Sequence, residues 1–348
     1  MKRKVLFCVP PFCGGAERVT LTIAKLLDKT KYDIKIVIIG KSTGEIKSFI
    51  PEYMEIIHVK IRHIWDFTTL RLMKVFKKER PYMVFCSLMY LNVRVISAAK
   101  LTRGIKIVIR NCNSLKLLRF DDCLFVKFLY PVVDAIILQT DEMKKELQKL
   151  KRIDEGKLHV ISNPIDIDLI NYHMKLSKNP YNIEFVNYVF VGRINYIKGL
   201  DILIPAFAEV VKKNNKSRLY IVGKVIESDP YFQSLQKLVK DLHLEDYITW
   251  TGFTNNPYKF IKYSNCLVLP SRIEGLPNVL LEAMYLQVPV VATRSVPIID
   301  RIVPIERGIV VDVENKELLS LAMLNAVNYN IVKEYEQNQK KEFVQLFE

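Results

Sequence analysis

The 348-residue chain is short of the residues that build metal and disulfide frameworks. Its six cysteines (Cys8, Cys13, Cys86, Cys112, Cys123, Cys266) are scattered with no Cys-x-x-Cys pair. Its five histidines (His58, His63, His159, His173, His243) show no ligand spacing on one helix face. These gaps exclude a disulfide scaffold and a zinc site, and they imply reduced thiols in a cytosolic protein. No uncharged apolar run reaches about 18 residues, the length a membrane-crossing helix needs. The most apolar long region, Leu115 to Leu138, is interrupted by Lys116, Arg119, Asp121, Asp122, Lys127 and Asp134. Zinc-finger spacing, a basic zipper and an aromatic-glycine RNA motif are all missing, so nucleic acid is not expected as a partner. The start, Met1 to Pro11, imitates a signal peptide. Its apolar stretch is short, ends in two prolines and lacks a small-residue cleavage site, which predicts a first buried strand instead.

What is present is a soluble globular composition, 50% hydrophobic and 26% charged, in a chain too long for one ordinary core. Two domains are expected. The net charge of +15 is unevenly placed. Residues 1–168 hold 31 Lys and Arg against 18 Asp and Glu; residues 169–348 hold 21 against 19. The first half therefore faces an anionic partner, such as a membrane surface, or is simply well solvated. The basic run Lys74 to Arg80 belongs to it.

Short apolar runs alternate with amphipathic ones. Strands are expected at Val5–Val9, Ile34–Ile39, Met83–Cys86, Ile105–Ile109, Ala135–Leu138 and Leu158–Ile161. Helical patterns fall at Ala16–Leu27, Leu70–Lys78, Val93–Leu101 and Asp141–Leu150. The pattern lapses after Asp166 and resumes with strands at Tyr188–Val191, Leu219–Val222, Tyr247–Trp250, Cys266–Leu269, Val288–Ala292 and Gly308–Val311. Helices there fit Gly199–Lys212, Pro230–Leu242, Asn278–Leu286 and Lys316–Asn328. Strand–helix alternation with continuous apolar strands predicts parallel sheets covered on both faces, an α/β architecture of two doubly wound domains across a cleft. The expected division is 1–168, a connector 169–187, a second domain 188–330, and a helical tail 331–348 returning to the first domain.

Three segments could carry chemistry. After the strand ending at Gly192, Arg193 and Lys198 flank a short loop before a helix. Two cations there can neutralise a diphosphate without a metal ion, or they are solvated loop charges. The run Pro270 to Met284 reads as a strand end, a Gly/Pro loop and a helix start, with Glu274 and Glu282 as carboxylates. Helix N-terminal N–H groups suit phosphate, and a carboxylate one turn in can accept from sugar hydroxyls. In the first domain, Gly14 and Gly15 follow the first strand, where they allow close backbone approach to a ligand or form a tight turn with Glu17 at a helix start. Arg110 and Asn111 close the strand Ile105–Ile109 and are expected to point into the cleft. Asp166-Ile-Asp168 has the form of a metal-binding Asp-x-Asp, but its place at the connector favours capping.

Together these segments resemble the family 4 glycosyltransferases of the GT-B fold, which consists of two Rossmann-like domains. The matching stretches run in the family's order: Gly14 to Val19, His159 to Asp166, Val191 to Gly199, Gly252 to Pro257 and Ser271 to Met284. The resemblance implies a retaining, metal-independent transferase that uses a nucleotide sugar. It implies that Gly192, Arg193 and Lys198 hold the diphosphate, that Glu282 binds the ribose and that Glu274 contacts the transferred sugar. Gly275, Leu276, Pro277, Asn278 and Val279 would offer backbone groups to the donor. Gly14, Gly15, Arg110 and Asn111 would border the reaction centre. Where the family has a Gly-rich turn and a Glu, this chain has Arg294 to Arg301.

The function implied is transfer of a hexose or modified hexose to a saccharide or polyprenyl-linked saccharide. The setting would be bacterial surface polysaccharide or lipid-linked oligosaccharide synthesis, in the cytoplasm or at the inner membrane face. A nucleotide-sugar epimerase or phosphorylase on the same fold, and a non-enzymatic anionic-surface binding module, are the alternatives.

Overall fold

A computed structural model describes residues 2–61, 68–112, 115 and 120–329. The tail expected at 331–348, together with His63, Lys116 and Arg119, lies outside the described residues. The chain divides into two compact units, with the boundary between Pro164 and Ile165.

The first unit comprises β1 (Arg3–Val9), α1 (Gly15–Leu26), β2 (Tyr32–Gly40), β3 (Glu55–Lys60), α2 (Thr68–Glu79), β4 (Met83–Cys86), α3 (Met89–Thr102), β5 (Lys106–Asn111), α4 (Phe120–Leu129), β6 (Ala135–Leu138), α5 (Asp141–Gln148) and β7 (Leu158–Val160). Its strands form one parallel sheet ordered β3-β2-β1-β4-β5-β6-β7. Alternate side chains serve two cores. Val5, Phe7 and Val9 of β1 pack with Val19 and Ile23 of α1. Leu6 and Cys8 pack on the other face with α2, α3, α4 and α5, through Phe76, Val95, Val126 and Leu147. The edge strand β3 was not expected. It carries Glu55, His58 and Lys60 and is mostly exposed or half-buried, so it lacks the continuous apolar run of an inner strand.

The second unit comprises α6 (Ile167–Lys175), β8 (Val186–Val191), α7 (Leu200–Lys213), β9 (Ser217–Val222), α8 (Pro230–Asp241), β10 (Ile248–Gly252), α9 (Tyr258–Lys262), β11 (Cys266–Leu269), α10 (Asn278–Tyr285), β12 (Val290–Thr293), α11 (Ile299–Ile302), β13 (Gly308–Val311) and α12 (Lys316–Ala326). The parallel sheet is ordered β10-β9-β8-β11-β12-β13. Tyr188 and Phe190 face α7, α8 and α12. Val189, Leu267 and Val290 face the layer that includes α6, α9 and α10.

The expected connector 169–187 is corrected here. Most of its first half is helix α6, and the unit boundary precedes position 168. Within α6 only Ile170 is fully buried, so its apolar stripe is too narrow to read as a helical pattern. The following stretch is anchored by Tyr181, whose hydroxyl donates to the Phe260 carbonyl at 2.5 Å and whose ring lies 4.6 Å from that of Tyr220. The Asp166 side chain caps α6, accepting from the Leu169 N–H at 3.0 Å. Asp166→Ala is expected to cost about 1 kcal/mol in urea unfolding, whereas Asp166→Asn, which can still cap, costs only a few tenths. Equal losses would assign the effect to charge instead of the cap.

Candidate active site

In the second unit the strand order reverses between β8 and β11, which are neighbours. The loops after both strands leave adjacent carboxyl ends, the place where open α/β sheets bind ligands. The β8 loop carries Arg193 and Lys198; the β11 loop carries Glu274 and leads into α10.

Two features press these loops together. Gly199 has φ 70°, and a Cβ there would stand 2.1 Å from the Pro270 carbonyl oxygen. Only glycine fits both demands. Arg272 supplies the second. Its backbone N–H donates to the Ile197 carbonyl at 2.8 Å, and its Nη1 donates to the Tyr196 carbonyl at 2.6 Å. The guanidinium grips Asp201 bidentately at 2.8 and 2.7 Å, meets Glu314 at 2.5 Å, and lies 3.8 Å from the Tyr196 ring centroid. The Tyr231 hydroxyl also donates to Asp201, at 2.7 Å. Burial would raise the Asp201 carboxyl, but the hydrogen bonds from Arg272 and Tyr231 and the charge of Arg272 outweigh it and hold its pKa below the ordinary value. The same bond to Asp201, opposed by burial and helped by Glu314, raises the pKa of Arg272.

The outcome is an ion pair between Lys198 and Glu274 across the two loops. Glu274 Oε1 also accepts from Ser271 Oγ at 2.6 Å, and Thr293 Oγ1 donates to the Ser271 carbonyl. Arg193 is exposed and has no ion pair among the described residues. Of the donor-binding candidates, the structure brings Lys198 and Glu274 into contact, with Gly192 and Arg193 at the start of the same loop. Gly275, Leu276 and Pro277 carry the chain into α10, whose first residues are Asn278 and Val279. Leu276 turns its side chain into the core. Because α10 starts at Asn278, Glu282 lies one turn in, half-buried.

The reading of the sequence missed Arg272, Asp201, Tyr231, Ser271 and Thr293. Arg272 and Ser271 sat inside the segment singled out, but their partners come from the neighbouring loop and from α7, α8 and β12. No local pattern announces those contacts.

The first-unit candidates also gather at strand carboxyl ends. Gly14 caps α1 and donates its N–H to Glu17 Oε2 at 2.9 Å. Its extended backbone needs no glycine, but a Cβ would sit 2.9 Å from that oxygen. Gly15 is the first residue of α1. Arg110 is completely buried; it donates to Asn163 Oδ1 and to Cys112 Sγ, and its Nε has no acceptor. Buried Asn111 accepts from the Tyr130 hydroxyl at 3.2 Å. Both are therefore interior residues of this unit as it stands. Burial pushes the Cys112 thiol up; the Arg110 charge lowers it and the Glu17 charge raises it.

No group of three or more His, Cys, Asp or Glu that could hold a metal ion occurs among the described residues. No helix among them is long and apolar enough to cross a membrane.

Two doubly wound parallel sheets, one in each unit, are the α/β architecture of the GT-B fold. The profile described as Glycosyltransferase Family 4 matches residues 13–169, and that described as Glycosyl transferases group 1 matches residues 178–342. The chain belongs to the family 4 glycosyltransferases.

Among its relatives is the N-acetylgalactosamine-N,N'-diacetylbacillosaminyl-diphospho-undecaprenol 4-alpha-N-acetylgalactosaminyltransferase of Campylobacter jejuni. It is 26% identical over 311 residues, covering 84% of this chain and 81% of that one. The amylovoran biosynthesis glycosyltransferase AmsD of Erwinia amylovora is 26% identical over 329 residues, 90% of this chain and 86% of that one. An uncharacterized glycosyltransferase of Methanocaldococcus jannaschii is 29% identical over 253 residues, 66% of this chain and 61% of the relative's length. The fold is shared with Anabaena HepE, solved with UDP-glucose, at a TM-score of 0.79, 16% identity and 99% coverage of both chains.

Two outcomes are expected from the geometry. Gly199→Ala should lower stability by about 1–3 kcal/mol or more, read by denaturant unfolding, because left-handed strain and the Pro270 contact both oppose a side chain. The second concerns acid. Asp201 has a depressed folded pKa, so its contribution is complete above the unfolded carboxylate value of about 4 and is lost as pH falls through the folded value. Asp201→Asn should therefore flatten the acid limb of a stability–pH curve; an unchanged limb would remove the assignment.

Proposed function

We propose that this enzyme moves a hexose or modified hexose from a nucleotide sugar to a saccharide acceptor with retention at the anomeric carbon. The carrying observation is the pair of cations at the switch point, Arg193 exposed and Lys198 held by Glu274. The bond from the sugar's anomeric carbon to the phosphate oxygen breaks, and the leaving diphosphate takes the electron pair. Arg193 and Lys198 offset the charge that develops there. The acceptor hydroxyl attacks from the same face and passes its proton to the departing phosphate. Neither Glu274 nor Glu282 needs to act as a nucleophile, and no metal ion is required. Glu274, whose Oε1 is already engaged by Lys198 and Ser271, has Oε2 for a sugar hydroxyl, and Glu282 serves the ribose.

The activity of the Campylobacter relative, whose name includes a diphospho-undecaprenol acceptor, supports a polyprenyl-linked saccharide here. The amylovoran relative supports surface polysaccharide synthesis. Such an acceptor would place the enzyme in the cytoplasm against the inner membrane face. The UDP and UDP-glucose held by Anabaena HepE make uridine the first base to try.

A thermal-shift panel of uridine, guanosine and adenosine diphosphates tests the reading, since a ligand that prefers the folded state raises the midpoint. One base should raise it, and Glu282→Ala should reduce that shift with little change in the unliganded midpoint. Arg193→Ala should lower kcat by about a hundredfold with a smaller effect on donor affinity. No shift with any nucleotide would overturn the proposal, and an epimerised sugar formed from donor alone would replace it with an epimerase.

A further inference from the structure

The helix α4 carries Asp121, Asp122 and Lys127 but presents large apolar side chains both inward and outward. Its inward residue Val126, and Tyr130 one turn on, are fully buried. At helical spacing Leu124 and Phe128 lie about 160–200° away from Val126. Leu124 is 47% exposed, Phe125 43%, Phe128 55%, and Val132 just beyond the helix 40%. A contiguous exposed apolar patch of this kind marks an interaction surface; the helix's two acids, Asp121 and Asp122, fall in its first turn, before the exposed apolar residues.

That face is rimmed by cations. Exposed Lys127 is on α4 itself. The Arg152 guanidinium lies 5.4 Å from the Phe128 ring centroid, and Lys149 and Lys151 beside it in the chain are exposed. Lys157 Nζ donates to the Pro131 carbonyl at 2.9 Å. In the same layer, with α3 packed against both, α2 exposes Lys74, Lys77 and Lys78. Within the basic run on α2 Phe76 is buried and Val75 half-buried, and the exposed apolar residue of that helix, Leu70, stands alone.

We propose that the outer face of α4 docks on an anionic lipid bilayer, with Leu124, Phe125, Phe128 and Val132 entering the headgroup boundary and the surrounding cations meeting lipid phosphates. Apolar burial and cation attraction are the two forces that hold interfacial helices. A second copy of the chain is a poorer occupant, because each copy carries +15 and presents the same basic rim. For its purpose the docking rests on the proposed membrane-borne acceptor. It is tested without donor or acceptor, so its failure leaves glycosyl transfer untouched.

The experiment is co-sedimentation of the full chain with vesicles of phosphatidylcholine alone and of phosphatidylcholine mixed with phosphatidylglycerol, across a salt series. The wild type should be retained by the mixed vesicles and weakened by salt. Phe125→Ser with Phe128→Ser changes exposed residues only, and should lower vesicle affinity by more than about tenfold. Arg152→Glu should lower it about fivefold or more. Circular dichroism melts confirm that the variants fold. Equal recovery of wild type with neutral and mixed vesicles overturns the proposal. So does unchanged affinity of the double Phe variant, or a concentration-dependent dimer that this variant abolishes.

Discussion

The guanidinium of Arg272 is the tie on which the β8 and β11 loops depend. It joins the β11 loop to the β8 loop through the Tyr196 carbonyl, and to the start of α7 through Asp201. Hydrogen bonds to charged groups contribute about 1.5–3 kcal/mol each, more than the neutral kind. Loop residues between a strand and a helix lose chain entropy on ordering and need such partners. Together with the close approach of Gly199 to Pro270, the Arg272 side chain holds the segments carrying Lys198 and Glu274 side by side. A cation and a carboxylate are thus fixed beside one another at the reversal of strand order.

The first unit uses the opposite arrangement. Arg110 is enclosed at the end of β5 with amide and thiol acceptors and no carboxylate among the described residues. A buried cation without a counter-charge is costly, so the polar groups of Asn163 and Cys112 are part of what lets the sheet end there. In the second unit Lys198 and Glu274 are matched and half-buried; in the first a charge is closed in.

Much of this organisation was legible in the chain because inner strands of a doubly wound sheet are short apolar runs. The inner strands Met83–Cys86, Ala135–Leu138 and Cys266–Leu269 fall where expected to the residue, as does the apolar edge strand Gly308–Val311. β3 was hidden because this edge strand alternates with charge, and α6 because it buries one large side chain. The cations and acids of the β8 and β11 loops could be picked out from residue type and position. Their pairing could not, since Lys198 and Glu274 are 76 positions apart and meet only through strand order. Arg272 went unread for the same reason. The outer face of α4 was obscured by the interspersed charges that excluded a spanning helix.

Gly199 leaves room for one oxygen atom and nothing more. The contour of the loop before it is thus dictated by a missing methyl group, in a backbone twist that other residues resist. Side chains from Ile194 to Ile197 can vary while Gly199 keeps the loop backbone against Pro270. Substituting position 199 would lift the whole segment from its neighbour and misplace both charged groups at once.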